Sequence, residues 1–191
     1  WAAWLAARYE PDRRALAAER PDPAAAEPRP DTFSRLAGVH LDALAAATGL
    51  AADHVQPLVD EFRGAHGVRR CREALKLMDA GAQSPKETWL RLLLVDAGYP
   101  RPATQIPVFD ESGREFAYLD MGWDDVRIAV EYDGDQHRTD RAQYTWDVVR
   151  LRRIQRLGWL HIRVIVEDRP RDILDRVRAA WARRETEARV A

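Results

Sequence analysis

Polar and apolar residues alternate most clearly between Val126 and Asp133. Val126, Ile128, Val130 and Tyr132 fall on one side, and Arg127, Ala129, Glu131 and Asp133 on the other. Side chains point to opposite faces of a strand with period two, so this stretch predicts a strand with one apolar face. The other face then carries both Glu131 and Asp133. The preceding run, Glu115–Gly122, predicts a strand with Phe116, Tyr118 and Asp120 on one side. If the two strands pair through a turn at Trp123–Asp125, Asp120 comes beside Glu131.

The same reading extends along the chain. Trp1 to Arg20 predicts a helix with sparse apolar anchors, followed by a proline-rich linker over 21–32. Helices are expected at Phe33–Thr48, Ala52–Ala65 and Val68–Ala80, broken at Gly49 and Gly67. The first two would allow a small helix-turn-helix. No recognition helix stands out, so a plain helical layer over 33–80 is preferred. Ser84-Pro85-Lys86-Glu87 is a helix start, with Ser84 as N-cap, Pro85 at the first helical position and Glu87 completing a capping box. That helix carries Trp89, Leu90, Leu93 and Leu94. Gln105–Phe109 predicts a short strand. A helix is expected from Thr139 or Asp140 to Leu157, then a strand at Trp159–Val166. A last helix runs from Pro170 through Trp181 into a charged tail at 183–191.

From Ser84 the order is helix, three strands, helix, strand, helix. This predicts an α/β (α+β) fold with a mixed central sheet, preceded by a small helical region. The domain would span 81–182.

Composition narrows the choices. Of 191 residues, 46% are hydrophobic, enough for a real core, and the seven tryptophans add large surfaces to bury. Trp89, Trp146 and Trp159 read as core. The net charge of −1 gives no bulk argument for a nucleic-acid partner, so that argument rests on local patches. The only lysines are Lys76 and Lys86. With basic character supplied almost wholly by arginine, a single arginine carries little weight as a phosphate contact. One cysteine, Cys71, excludes an internal disulfide and a cysteine-rich zinc site, and fits a reducing, cytoplasmic setting. No apolar run is long enough to span a membrane, and no signal-peptide pattern appears. The chain opens at Trp1 without Met, which suggests a fragment of something longer.

Carboxylates gathered at a sheet edge repel one another, and a hard divalent cation with oxygen ligands is the usual compensation. Asp120, Glu131, Asp133 and His137 are the candidates. Phosphodiester hydrolysis suits such a set, because it needs an activated water and neutralised phosphate charge. Asp133 would ligate a second ion or orient His137. His137 would orient or deprotonate the water, or protonate the leaving oxygen. Arg138, Arg141, Arg150 and Arg153 are the candidate nucleic-acid contacts, with Arg152, Arg156 and Arg163 nearby in sequence. The alternative is a solvated arginine face, with Asp147 pairing Arg150 one turn away. His40, His54, His66 and His161 lack partners at metal-ligand spacing.

The element order, with Asp120 eleven residues before Glu131, resembles the PD-(D/E)xK restriction-endonuclease-like superfamily and its αβββαβ core. VEYDGDQH (Val130–His137), the later Gly158, Trp159, Arg163 and Val164, SPKETWLRLLLVDAGYPRP (Ser84–Pro102) and QIPV (Gln105–Val108) are similar to an uncharacterised actinobacterial group. That group is related to the very-short-patch repair endonuclease. Members often carry an upstream winged-helix region like that of AbiEi-type antitoxins, not recognisable here.

The resemblance implies a Mg²⁺- or Mn²⁺-dependent endodeoxyribonuclease in DNA repair or defence. Asp120, Glu131 and Asp133 would be metal-binding, and Glu87, Asp120, Glu131, Asp133 and His137 catalytic. Asp133 stands where the superfamily has its lysine, and His137 would take over that part. Expected partners are DNA, a second copy of the chain and an upstream regulatory domain, but no membrane. The alternative is a catalytically inactive DNA-binding regulator or antitoxin-like module on the same fold.

Overall fold

The computed structural model describes residues 32–134 and 141–190. The expected N-terminal helix, most of the linker, and the loop carrying His137 and Arg138 lie outside the described residues. The chain divides into two compact units between Arg101 and Pro102.

The first unit is helical: α1 (Thr32–Thr48), α2 (Ala52–Glu61), α3 (Val68–Lys76) and α4 (Pro85–Asp96). Gly49 and Gly67 separate the first three with φ of 70° and 85°, a left-handed conformation glycine adopts without strain. Ala45, Val59, Leu75 and Met78 form its core, with Leu41, Leu50, Val55, Val68 and a half-buried Cys71 against them. α2 and α3 stop at Glu61 and Lys76, earlier than Ala65 and Ala80. Pro85 opens α4 behind the Ser84 cap, whose Oγ accepts from the Glu87 N–H at 3.1 Å.

α4 is tied to α1 by a buried polar knot. Asp42 accepts from Arg91 Nη2 at 2.7 Å, from Thr88 Oγ1 at 2.9 Å and from the Asp79 N–H at 2.7 Å. Arg91 also donates to the Leu77 carbonyl at 2.7 Å. These bonds group α4 with the helical unit, so the boundary falls at Arg101 and Pro102, not near residue 81.

The second unit is a four-stranded mixed sheet with helices, the expected α+β class. β1 (Ala103–Phe109), β2 (Glu115–Trp123), β3 (Ile128–Tyr132) and β4 (Leu160–Val164) lie in the order β1-β2-β3-β4. The first three are antiparallel and β4 is parallel to β3. A parallel neighbour needs a crossover, and α5 (Arg141–Arg156) supplies it. Ile106, Val108, Ala117, Leu119, Ala129, Ile154 and Trp159 form one core cluster. Leu119, Ile128, Val130, Ile154, Val164, Ile173 and Val177 are wholly buried, each contributing about 1.5–3 kcal/mol over exposure.

The last helix, α6 (Pro170–Val190), runs through what sequence suggested as a charged tail. Arg183 and Arg184 pair with Glu187 at 2.8 and 2.7 Å, on-helix partners that sustain the extra turns. Trp181 packs edge-on to Trp123, with ring centroids 5.3 Å apart. No described helix is long and apolar enough to cross a membrane.

Gly122 sets the approach of β2 to β3. A β-carbon there would stand 2.2 Å from the Ile128 carbonyl oxygen and 3.0 Å from Ala129 Cα. Both obstacles are backbone and cannot swing aside. Gly122→Ala is therefore expected to cost about 1–3 kcal/mol, read as a lowered unfolding midpoint. An unchanged midpoint would mean that the strands part without penalty.

Candidate functional site

The β2–β3 register decides which acids meet. Met121 pairs with Val130 and Gly122 with Ala129, so the next step outward sets Asp120 opposite Glu131. Paired positions across a ladder share a face, so the two acids lie on the same side of the sheet. The regular ladder ends there, and Asp120 replaces it with its side chain. Its Oδ2 accepts from the Tyr132 N–H at 2.9 Å. On the other side, the β1–β2 register sets Gln105 opposite Asp120, and Gln105 has φ of 51°. A non-glycine residue held left-handed inside a strand is locally strained, and it lies beside this acid.

Glu131 is nearly enclosed, with 12% of its side chain exposed. Arg150 on α5 reaches both carboxylate oxygens, with Nη2 2.7 Å from Oε1 and Nη1 3.2 Å from Oε2. Arg150 Nη2 also donates to the Tyr118 carbonyl. His161 Nε2 meets Glu131 Oε2 from β4. Burial raises the Glu131 pKa, but the hydrogen bonds and charges of His161 and Arg150 more than reverse it, bringing it down to about 2. For Arg150, burial lowers the pKa, and Glu131 chiefly, with Asp120 and Asp147 behind it, holds it above its ordinary value. The expected Asp147–Arg150 pair is thus secondary, because Arg150 is engaged by Glu131.

Asp133, Glu87 and Arg153 have partners of their own. Asp133 bonds the Val164 carbonyl through its N–H at 2.7 Å, and its carboxylate is held by Arg163 of β4. Glu87 belongs to the helical unit. Its Oε2 accepts from the Gln83 N–H at 2.8 Å, one residue ahead of the expected capping-box partner. Arg141 begins α5, with its side chain outside the described residues. Arg153 lies over the Phe116 ring, 4.0 Å from its centroid, and pairs with Asp110 at 3.4 Å. Trp89 and Trp159 are core as expected, but Trp146 is 58% exposed. It precedes Arg150 by one turn on α5, nearer the N-terminal end of the helix than the buried Ile154.

Comparison with known proteins finds uncharacterised relatives. The chain is 33% identical over 151 residues to the uncharacterised proteins MT2308 and Rv2248 of Mycobacterium tuberculosis. That stretch is 79% of this chain and 55% of each relative, so the chain spans about half the length of the curated relatives it matches. No family model matches, and no solved structure does.

Sequence reasoning passed over His161. The signal was available: alternation in Trp159–Val166 sets His161 and Arg163 on one face, and a helical crossover implies β4 parallel to β3. The register then pairs Ala129 with His161 and Glu131 with Arg163. His161 has no partner at metal-ligand spacing along the chain, whereas strand pairing brings it against Glu131.

The donor chemistry suits a hard cation at one pair of residues. Asp120 and Glu131 offer facing oxygen ligands, and the low pKa of Glu131 keeps it ionised through neutral pH. Among the described residues, no three His, Cys, Asp or Glu side chains are grouped to hold a metal by themselves. Two facing carboxylates are the part of a hard-cation ligand set that the described residues supply.

Proposed function

We propose that the chain carries a metal-dependent endonuclease domain that hydrolyses DNA phosphodiester bonds in the cytoplasm, in repair or defence. The observation that carries this reading is the facing placement of Asp120 and Glu131 on neighbouring strands. In it, Asp120, Glu131 and the Tyr132 carbonyl would hold Mg²⁺ or Mn²⁺. Such an ion supplies Lewis acidity, lowering the pKa of a bound water and neutralising phosphate charge. The Tyr132 N–H keeps the Asp120 carboxylate aimed. His137, outside the described residues, would handle the proton of the attacking water or the leaving oxygen.

The test is a nicking assay on supercoiled plasmid with Mg²⁺ or Mn²⁺. The wild-type chain is expected to nick, and Asp120→Ala or Glu131→Ala to reduce the rate by roughly a thousandfold or more. Undiminished nicking in both variants would reject the assigned site.

A second reading is a catalytically inactive DNA-binding regulator. It draws support from the hold of Arg150 and His161 on both oxygens of Glu131 and from the acid at the lysine position. It predicts binding that weakens steeply with salt, and no metal-dependent nicking.

A further inference from the structure

The two facing carboxylates already have a positive charge beside them. Arg150 spans both oxygens of Glu131, reaches the Tyr118 carbonyl, and interacts electrostatically with Asp120 as well. A guanidinium stays protonated throughout the working pH range, so this charge cannot be titrated away. His161 adds a third contact, on Oε2. Three of the roughly four acceptor positions of the Glu131 carboxylate are thereby in use. A cation cannot take both Glu131 oxygens while the guanidinium fork holds them.

Resting on the nuclease reading, we propose that Arg150 is an exchangeable counter-ion. It holds Glu131 until a divalent cation takes that carboxylate, and the released guanidinium then binds phosphate oxygens of the nucleic acid. Charge makes the exchange two-sided. With Arg150 in place, one positive charge faces two carboxylates. A divalent cation added to the same site leaves an excess of positive charge, which an incoming phosphate offsets. The guanidinium fork matches phosphate as well as carboxylate. The Arg150 side chain is 20% exposed and hangs on a long stem from α5, so it can leave Glu131 without moving the helix. The consequence is coupling: metal alone binds weakly, and metal and phosphate strengthen each other.

The experiment measures Mn²⁺ binding to the whole chain without DNA, by the electron spin resonance signal of free Mn²⁺. Arg150→Gln is expected to bind Mn²⁺ about tenfold more tightly than wild type, Arg150→Lys to lie between them, and Glu131→Gln to lose the site. Anisotropy with a labelled DNA duplex supplies the second arm. Ca²⁺ is expected to strengthen duplex binding by wild type and to do so far less for Arg150→Gln. Equal or weaker Mn²⁺ binding by Arg150→Gln would overturn the exchange and leave the nuclease reading standing. Absence of Mn²⁺ binding in wild type and both Arg150 variants would overturn both. Should Arg150→Gln fail to fold by circular dichroism, the Lys variant decides, and affinity equal to wild type would overturn the exchange.

Discussion

Glu131→Gln is expected to cost the sheet unit about 3 kcal/mol at neutral pH and to flatten its stability below pH 5. The folded-state pKa of Glu131 is about 2, against an ordinary value of 4.5. A carboxylate with a depressed pKa stabilises the fold above the unfolded value, and that contribution is lost as pH falls towards the folded value. The wild-type chain should therefore lose stability progressively between about pH 5 and pH 2, as protons compete with Arg150 and His161. The Gln variant carries no charge to titrate and should start lower and fall less. Urea unfolding across that range, followed by tryptophan fluorescence, measures the difference. Parallel profiles for the two proteins would mean that Glu131 is not held as described.

Asp42→Ala should destabilise the helical unit by about 3–5 kcal/mol, the usual cost of removing one member of a buried ion pair. Arg91 is fully buried, and its salt bridge to Asp42 is 2.7 Å long with the partners 0% and 1% exposed. Without Asp42, the guanidinium keeps the Leu77 carbonyl and a more distant Asp79, 4.0 Å from Nε. The Asp79 N–H and the Thr88 hydroxyl lose their acceptor as well. Yet the pair is not an efficient stabiliser. Burial raises the Asp42 pKa by more than Arg91, Asp79 and Thr88 together lower it. The double variant Asp42→Leu/Arg91→Met is therefore expected to be far more stable than the sum of the single changes predicts. A double-mutant cycle by chemical denaturation checks both statements. Additive losses would show that the two charges do not depend on each other.

The sheet acids show where local pattern suffices. Alternation over Val126–Asp133 and Glu115–Gly122 was enough to anticipate two strands and Asp120 beside Glu131 in an antiparallel register, but not the turn. The turn spans residues 124–127 rather than Trp123–Asp125, because Trp123 still pairs with Ile128. Period two and a short turn leave few ways to pair neighbouring strands. The Ser84 cap was legible for the same reason, since its bonds reach only three residues along the chain. Helix ends were less legible: α6 continues past the expected stop on pairs among its own arginines and Glu187.

By itself, the order of apolar and polar residues determined the order of elements from Ser84 onward, the α+β class and the pairing of Asp120 with Glu131 on one sheet face. Tertiary structure decided what those acids touch. Arg150 reaches Glu131 across 19 residues of chain, and His161 across 30. It likewise decided that Arg163 takes Asp133 and that Glu87 stays with the helical unit. These contacts depend on where a parallel strand and its crossover helix come to rest. Periodicity specifies which face a side chain occupies, but not which distant charge will be brought against it.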